Sequence, residues 1–235
     1  MYEFVFKRFE RRFVFNWLNR CPLEKTYIWV GYDTVRERGI KMITTFTGPM
    51  HSGKTAAMMA AYNKIWNKSH ILCFKPNKDT RDVGEIKSKD FVEGIPSIGI
   101  DKFEDILDYI GEDNEKDIRT IFIDEVQLMD GDVGVLSYLS IAMDMNIFTA
   151  GLNMTSEQEP FLVMPFVLAI SDEVVNIKAS CYDCGKDASF TYYEGDKTEA
   201  IVVGDAGYIP LCDRCLAKRL GKKKIKRLLK TKKED

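Results

Sequence analysis

Residues 43–66 read ITTFTGPMHSGKTAAMMAAYNKIW, and the order of their parts decides the fold. Ile43-Thr-Thr-Phe-Thr47 is a short β-branched and aromatic run, the composition of a strand. Gly48-Pro-Met-His-Ser-Gly-Lys-Thr55 follows without a spacer, and the alanine- and methionine-rich segment after it is a strong helix former. Strand, loop and helix form the context in which G-x-x-x-x-G-K-[ST] becomes a mechanism. Glycines let backbone N–H groups close round phosphate oxygens, and the helix N-terminus adds partial positive charge. In such a loop Lys54 reaches the phosphates in transfer and Thr55 takes a magnesium ion.

Working outward, Ile71-Leu-Cys-Phe74 reads as a second strand and runs into Lys75-Pro-Asn-Lys-Asp79-Thr-Arg81. A third, Thr120-Ile-Phe-Ile123, ends in Asp124-Glu125-Val-Gln127. Acids at the end of a strand stand where ligands gather in an open α/β sheet, so Asp124 is expected on the metal and Glu125 in the same cleft. Residues 145–150 read as a further strand leading into an irregular polar loop, Gly151 to Phe161, over that cleft. Apolar periodicity predicts helices over 101–110 and 133–142. Strands alternating with helices imply a parallel sheet, and an α/β fold is expected.

The cysteines define a second unit. Four of six form Cys181-x2-Cys184 and Cys212-x2-Cys215, two knuckles that can close a four-sulfur structural zinc site. Between them, 188–193 and 200–203 flank Glu194-Gly-Asp-Lys197 and read as a hairpin, so this unit is a small zinc ribbon. A pair of disulfides fits badly with a chain that shows no secretory signal, and a cytoplasmic protein is expected.

The composition is that of a globular protein, with 235 residues, 45% hydrophobic and 30% charged. No apolar run approaches the roughly 18 residues that a membrane span needs. The net charge of −2 hides a partition: residues 42–216 carry 15 basic against 29 acidic side chains, whereas 217–235 carry 10 against 2. That basic tail has no aromatic residue for base stacking, and specific nucleic-acid binding is not expected.

Taken in order, GPMHSGKT, KPNKDTR, IDEVQ, GLNMTSEQEPF, CYDCGKDASFT and VVGDAGYIPLCDRC resemble the zinc-containing thymidine kinase family, from about Met42 to about Cys215. The resemblance implies transfer of the ATP γ-phosphoryl group to the 5′-hydroxyl of thymidine, with magnesium, in a homotetramer. It implies ATP contacts from Gly48, Pro49, Met50, His51, Ser52, Gly53, Lys54, Thr55, Asp79, Arg81, Asp124 and Gln127. Magnesium would be held by Thr55, Asp124 and Asp79, and Glu125 would activate the 5′-hydroxyl. The same resemblance puts Leu128, Leu152, Ser156, Thr191, Val203, Gly204 and Tyr208 at the nucleoside, under a lasso loop running from Asn153 to Val163.

This chain departs from the family pattern at His51, Leu128, Asn153 and Ser156, around the base, where altered selectivity is expected. The implied organisation is an N-terminal segment (1–41), an ATP-binding α/β domain (42–152), a lasso and zinc-ribbon nucleoside domain (153–216) and a basic tail (217–235). The first segment has two readings. Either translation begins at Met42, or Phe4, Phe6, Phe9, Phe13 and Trp17 dock on the body or on a neighbouring subunit. Two competing functions are an ATP-dependent regulator without nucleoside kinase activity and a zinc-ribbon nucleic-acid binder.

Overall fold

The computed structural model describes residues 42–111, 114, 116–161, 163–195 and 207–221. Segment 1–41, the stretch 200–203 with Val203, Gly204, and the tail beyond 221 lie outside the described residues. The elements run β1 (Ile43–Thr47), α1 (Lys54–Lys64), β2 (Ile71–Pro76), β3 (Glu85–Ile86), β4 (Ile95–Pro96), β5 (Ile98–Ile100), α2 (Ile106–Ile110), β6 (Thr120–Ile123), α3 (Gly134–Ile141), β7 (Asn146–Gly151), α4 (Met164–Ile170) and β8 (Glu173–Asn176). The helix expected over 101–110 is a 3₁₀ turn, Phe103–Asp105, that widens into the short α2.

Six strands form one sheet in the order β5-β2-β6-β7-β1-β8, every neighbour pair parallel. Parallel strands covered on both faces need uninterrupted apolar or satisfied side chains, and β1 and β6 are buried at every position. Thr45 lies in the middle of this layer because its hydroxyl pairs with Thr149 at 2.7 Å and with Ser171 at 2.7 Å. Tyr62 of α1 meets Phe122 edge-on at 5.5 Å, and Phe122 stacks on Phe148 at 4.8 Å, which fixes the helix over β6 and β7. The main core gathers Phe74, Phe103, Ile121, Ile123, Leu136, Ile147 and Met164.

The second unit begins with β9 (Ala179–Ser180) and β10 (Asp187–Ala188), which pair antiparallel around the first cysteine knuckle. β11 (Phe190–Tyr193) pairs antiparallel with β12 (Tyr208–Leu211), while 200–203, the run expected beside it, lies outside the described residues. Pro210 argues against a strand from sequence, but a two-stranded ribbon leaves one edge of each strand free of ladder bonds and accommodates it. Residues 213–221 close the unit as a helix, and Ala188, Tyr192, Ile209, Leu211 and Leu216 form its own small core with the cysteines. Among the described residues no helix is long and apolar enough to cross a membrane.

Candidate active site

The loop between β1 and α1 is shaped by two glycines. Gly48 adopts φ +150°, and a Cβ there would stand 2.1 Å from the Ile177 carbonyl oxygen and 2.9 Å from Ser52 Oγ, so only hydrogen fits. Gly53, at φ +85°, turns the chain into α1, whose first turn has no side-chain cap and no acidic residue. That end of α1 therefore keeps its partial positive charge for an anion. Lys54 is buried and donates to the Pro49 carbonyl at 2.8 Å, while Ser52 Oγ is buried with no hydrogen-bond partner among the described residues.

Asp124 continues the line of β6, its N–H held by the Phe74 carbonyl at 3.0 Å. Its carboxylate accepts from the Thr55 hydroxyl at 3.1 and 3.3 Å, so the phosphate-loop threonine and the strand-end acid meet as the sequence predicts. Burial first, then the neighbouring Glu125 charge, pushes the Asp124 carboxyl up to about 7. At Glu125 the backbone turns left-handed, φ 50° and ψ 37°, before the 3₁₀ turn Val126–Leu128. This reversal lets two consecutive acids serve different neighbours. Glu125 Oε1 faces Arg81 Nη2 at 2.5 Å, and Oε2 accepts from Gln127 Nε2 at 2.5 Å.

Arg81 is itself held. Its Nε donates to Asp79 Oδ1 at 2.8 Å and its backbone N–H to the same oxygen at 3.2 Å. Asp79 Oδ2 pairs with Lys75 Nζ at 3.1 Å. Burial works to raise the Asp79 carboxyl, but Arg81 and Lys75 outweigh it and hold it below the ordinary aspartate range. Both oxygens of Asp79 are thus engaged by cations, whereas the Asp124 carboxylate accepts from the Thr55 hydroxyl and the Glu125 backbone N–H.

On the expected nucleoside side, Gln127 Oε1 accepts from the Leu152 N–H at 3.0 Å, tying the end of β7 to the acidic turn. Leu128, half-buried, donates its N–H back to the Glu125 carbonyl at 2.9 Å. The loop that follows β7 closes on itself through a Met154–Pro160 bridge and a Thr155 N–H bond to Glu159 O at 2.7 Å. Ser156 Oγ is buried within it with no hydrogen-bond partner among the described residues. The phosphate loop also touches the β11–β12 hairpin: Met50 N–H donates to Thr191 Oγ1 at 3.0 Å, and His51 Nε2 lies 3.3 Å from the Tyr208 carbonyl oxygen. Tyr208 packs on Tyr193 with ring centroids 4.8 Å apart. Val203 and Gly204 fall outside the described residues.

The four cysteines of the knuckles converge, their sulfurs all within 4.8 Å of one another, with Cys184 and Cys212 at 3.7 Å. A tetrahedral zinc with Zn–S of about 2.3 Å separates its sulfurs by about 3.8 Å, so the donor set fits that ion. Burial opposes ionisation of Cys181, but backbone N–H groups at Cys212, Asp183 and Cys184 outweigh it and bring the thiol down to about 6. Hydrogen bonding to the Cys212 thiol, followed by burial and the other cysteines, pushes Cys215 up to about 12. Outside the cluster, Arg219 on the closing helix grips Asp183 at 2.9 and 2.6 Å and Glu194 at 2.5 Å.

Sequence reasoning missed Lys75 as part of this site. The signal was present as a lysine inside an otherwise apolar strand, ILCFKP. It also missed α4 and β8, which carry the chain from the loop back to the far side of β1.

Comparison with known proteins agrees with this arrangement. A family model described as thymidine kinase matches residues 41–216. The thymidine kinase of Pseudothermotoga lettingae is 33% identical over 181 residues, covering 75% of this chain and 95% of that one. The thymidine kinase of Bacteroides fragilis is 33% identical over 189 residues, covering 79% and 90%. Among solved structures, the Thermotoga maritima RuvB Holliday junction branch migration motor aligns at TM-score 0.35 and 15% identity, over 62% of this chain and 41% of that one, too slight a likeness to carry an argument. Phosphate loop, strand-end acids and cysteine cluster all lie inside the matched span, and the chain belongs to the thymidine kinase family.

Proposed function

We propose that this chain transfers the γ-phosphoryl group of ATP to the 5′-hydroxyl of thymidine, or of a close deoxynucleoside relative. The observation that carries the reading is the setting of Glu125: a carboxylate oriented by Arg81 and Gln127, one residue from an acid that contacts the phosphate-loop threonine. An alcohol is a poor nucleophile in neutral water, and a carboxylate in reach of its proton supplies roughly 10²- to 10⁴-fold. In this reading Glu125 takes the 5′-hydroxyl proton as the oxygen bonds to the γ-phosphorus, and the bond to the β-phosphate oxygen breaks to release ADP. Lys54, Arg81 and the first turn of α1 balance the charge that develops.

Thr55 and Asp124 are the residues that would hold magnesium, which neutralises phosphate charge when bound. Asp124 suits a cation because it is buried with its proton held to about 7, a cost that a bound cation reverses. Zinc in the four-cysteine cluster would fasten the β11–β12 hairpin, through which Thr191 and Tyr208 reach the phosphate loop. We place the start of that nucleoside lobe near Ala179, and assign the base to the space under the 153–163 loop, with Leu128, Leu152 and Ser156 beside it. His51, Leu128, Asn153 and Ser156 there favour a selectivity broader than thymidine alone.

The regulatory and nucleic-acid readings have no specific observation in their favour. We take the enzyme to be a cytoplasmic homotetramer, which light scattering on the purified chain tests. The direct test of function is a magnesium-ATP phosphotransfer assay over a panel of deoxynucleosides, with Glu125→Gln as the blank. Phosphorylation of thymidine or deoxyuridine supports the reading; no product with any of them, from protein that binds ATP, overturns it.

A further inference from the structure

Lys75 is the penultimate residue of β2 and its side chain is only 6% exposed. A lysine is seldom buried unless its charge is met, and here Nζ is ringed by oxygen: Asp79 Oδ2 at 3.1 Å and the carbonyls of Arg81, Asp82 and Glu85 at 2.5, 3.2 and 3.4 Å. The loop that follows β2 therefore wraps round a single ammonium. Two of its residues, Asp82 at φ 44° and Gly84 at φ +79°, are left-handed. The same strand end anchors the acidic turn, since the Phe74 carbonyl holds the Asp124 N–H.

From Lys75 the charges alternate without a gap. Asp79 spans Lys75 and Arg81 with its two oxygens, and its side chain is only 4% exposed. Arg81 uses Nε on Asp79 and Nη2 on Glu125. A guanidinium is planar and rigid, so fixing one edge of the fork fixes where the other edge points. Glu125 has one oxygen on that fork and one on Gln127. We propose that Lys75 and Asp79 form a buried positioning pair that holds Arg81, and through it the Glu125 carboxylate, at the angle the transfer requires, with Asp79 acting on Arg81 and not on magnesium. This rests on the kinase reading and adds to it two residues whose work is geometric. A merely structural lysine would affect folding; a positioning lysine affects turnover through Arg81 and leaves substrate affinity alone.

The experiment measures kcat, the KM for ATP and for thymidine, the magnesium concentration giving half activity, and the thermal unfolding midpoint, on the full chain. The variants are Lys75→Met, Asp79→Asn, Arg81→Ala and the doubles that carry Arg81→Ala. Misplacing a reacting group by about 1 Å costs on the order of a hundredfold in rate, so each of the first two singles is expected to lower kcat by roughly tenfold to a hundredfold, with KM for ATP within about threefold of wild type. In the Arg81→Ala background both substitutions are expected to cost no further kcat, because the link they act through is already cut. If Lys75→Met does not fold, Asp79→Asn, which keeps volume and shape, carries the same test. Losses that multiply in the doubles, or a kcat unchanged in the singles, overturn the proposal. A raised magnesium requirement in Asp79→Asn also overturns it, by making Asp79 a metal contact. Wild-type protein that phosphorylates no deoxynucleoside is a different failure, that of the kinase reading itself.

Discussion

Removing the charge from Asp124 should strengthen the fold while ending the reaction. Asp124 is buried, and its carboxyl titrates near 7, against about 3.9 in an unfolded chain. Between those values the folded state holds a proton that the unfolded state has released, so stability falls as pH rises through the window and levels off above pH 7. At 1.36 kcal/mol per pH unit the loss across that window is on the order of 4 kcal/mol, and most of it falls above pH 5. Asp124→Asn keeps an oxygen for the Thr55 hydroxyl and never ionises. Urea unfolding in magnesium- and nucleotide-free buffer, followed by circular dichroism, is expected to show the variant gaining on wild type by about 2 to 3 kcal/mol between pH 5 and pH 8. Groups that Asp124 does not touch, such as Asp79 with its lowered carboxyl, titrate in both proteins and cancel in the difference. Magnesium-ATP should then stabilise wild type by mass action and the variant much less. A wild type and variant separated by the same margin at both pH values would refute the account of Asp124.

Glu125→Gln is expected to keep ATP affinity and lose roughly 10²- to 10⁴-fold in kcat, and unchanged turnover would remove Glu125 from the role of base. Cys184→Ser, or chelation of the cluster, should weaken nucleoside binding before nucleotide binding, because the hairpin bearing Thr191 and Tyr208 is fastened there; calorimetric titration showing equal losses contradicts this. Gly48→Ala must push its new carbon away from the Ile177 carbonyl, a strain of about 1 to 3 kcal/mol or more, and should lower both the unfolding midpoint and ATP affinity; a thermal scan and a nucleotide titration that match wild type would count against the loop geometry.

The elements legible in sequence were those whose pattern carries its own mechanism. The phosphate loop announced β1 and α1 because glycine, lysine and threonine at fixed spacing admit few structures, and the two cysteine knuckles announced a common centre. Ile98–Ile100 and Glu173–Asn176 were not legible, since a three-residue strand has too few positions to display a period and EVVN joins the sheet only through its pairing with β1. MPFVLAI is apolar almost throughout, so its helical period is hidden, and the proline that looks like a breaker sits in the first turn, where it is tolerated. For the hairpin, 208–211 holds a proline and was not legible as a strand, yet it pairs with β11; the expected run 200–203 lies outside the described residues. In the site, Thr55 and Asp124 met as their spacing suggested. The Lys75–Asp79–Arg81–Glu125 series could not be read, because it depends on how a loop folds round an ammonium.

Gly151 ends β7, the strand that lies between β1 and β6. Adjacent strands stand about 4.8 Å apart, so the phosphate loop and the acidic turn spring from backbones nearly 10 Å apart and must meet above this one. A Cβ at 151 would stand 2.7 Å from Gln127 Oε1, 2.8 Å from Val126 Cγ1 and 3.2 Å from Met164 Sδ. Gln127 is the residue that steadies one oxygen of Glu125. The clearance for the whole constellation is therefore narrower than a single methyl group, and it is set by a residue that bears no functional atom at all. Alteration of this enzyme by chance or by design meets that tolerance as surely as it meets the acids, because the floor beneath them has to stay bare.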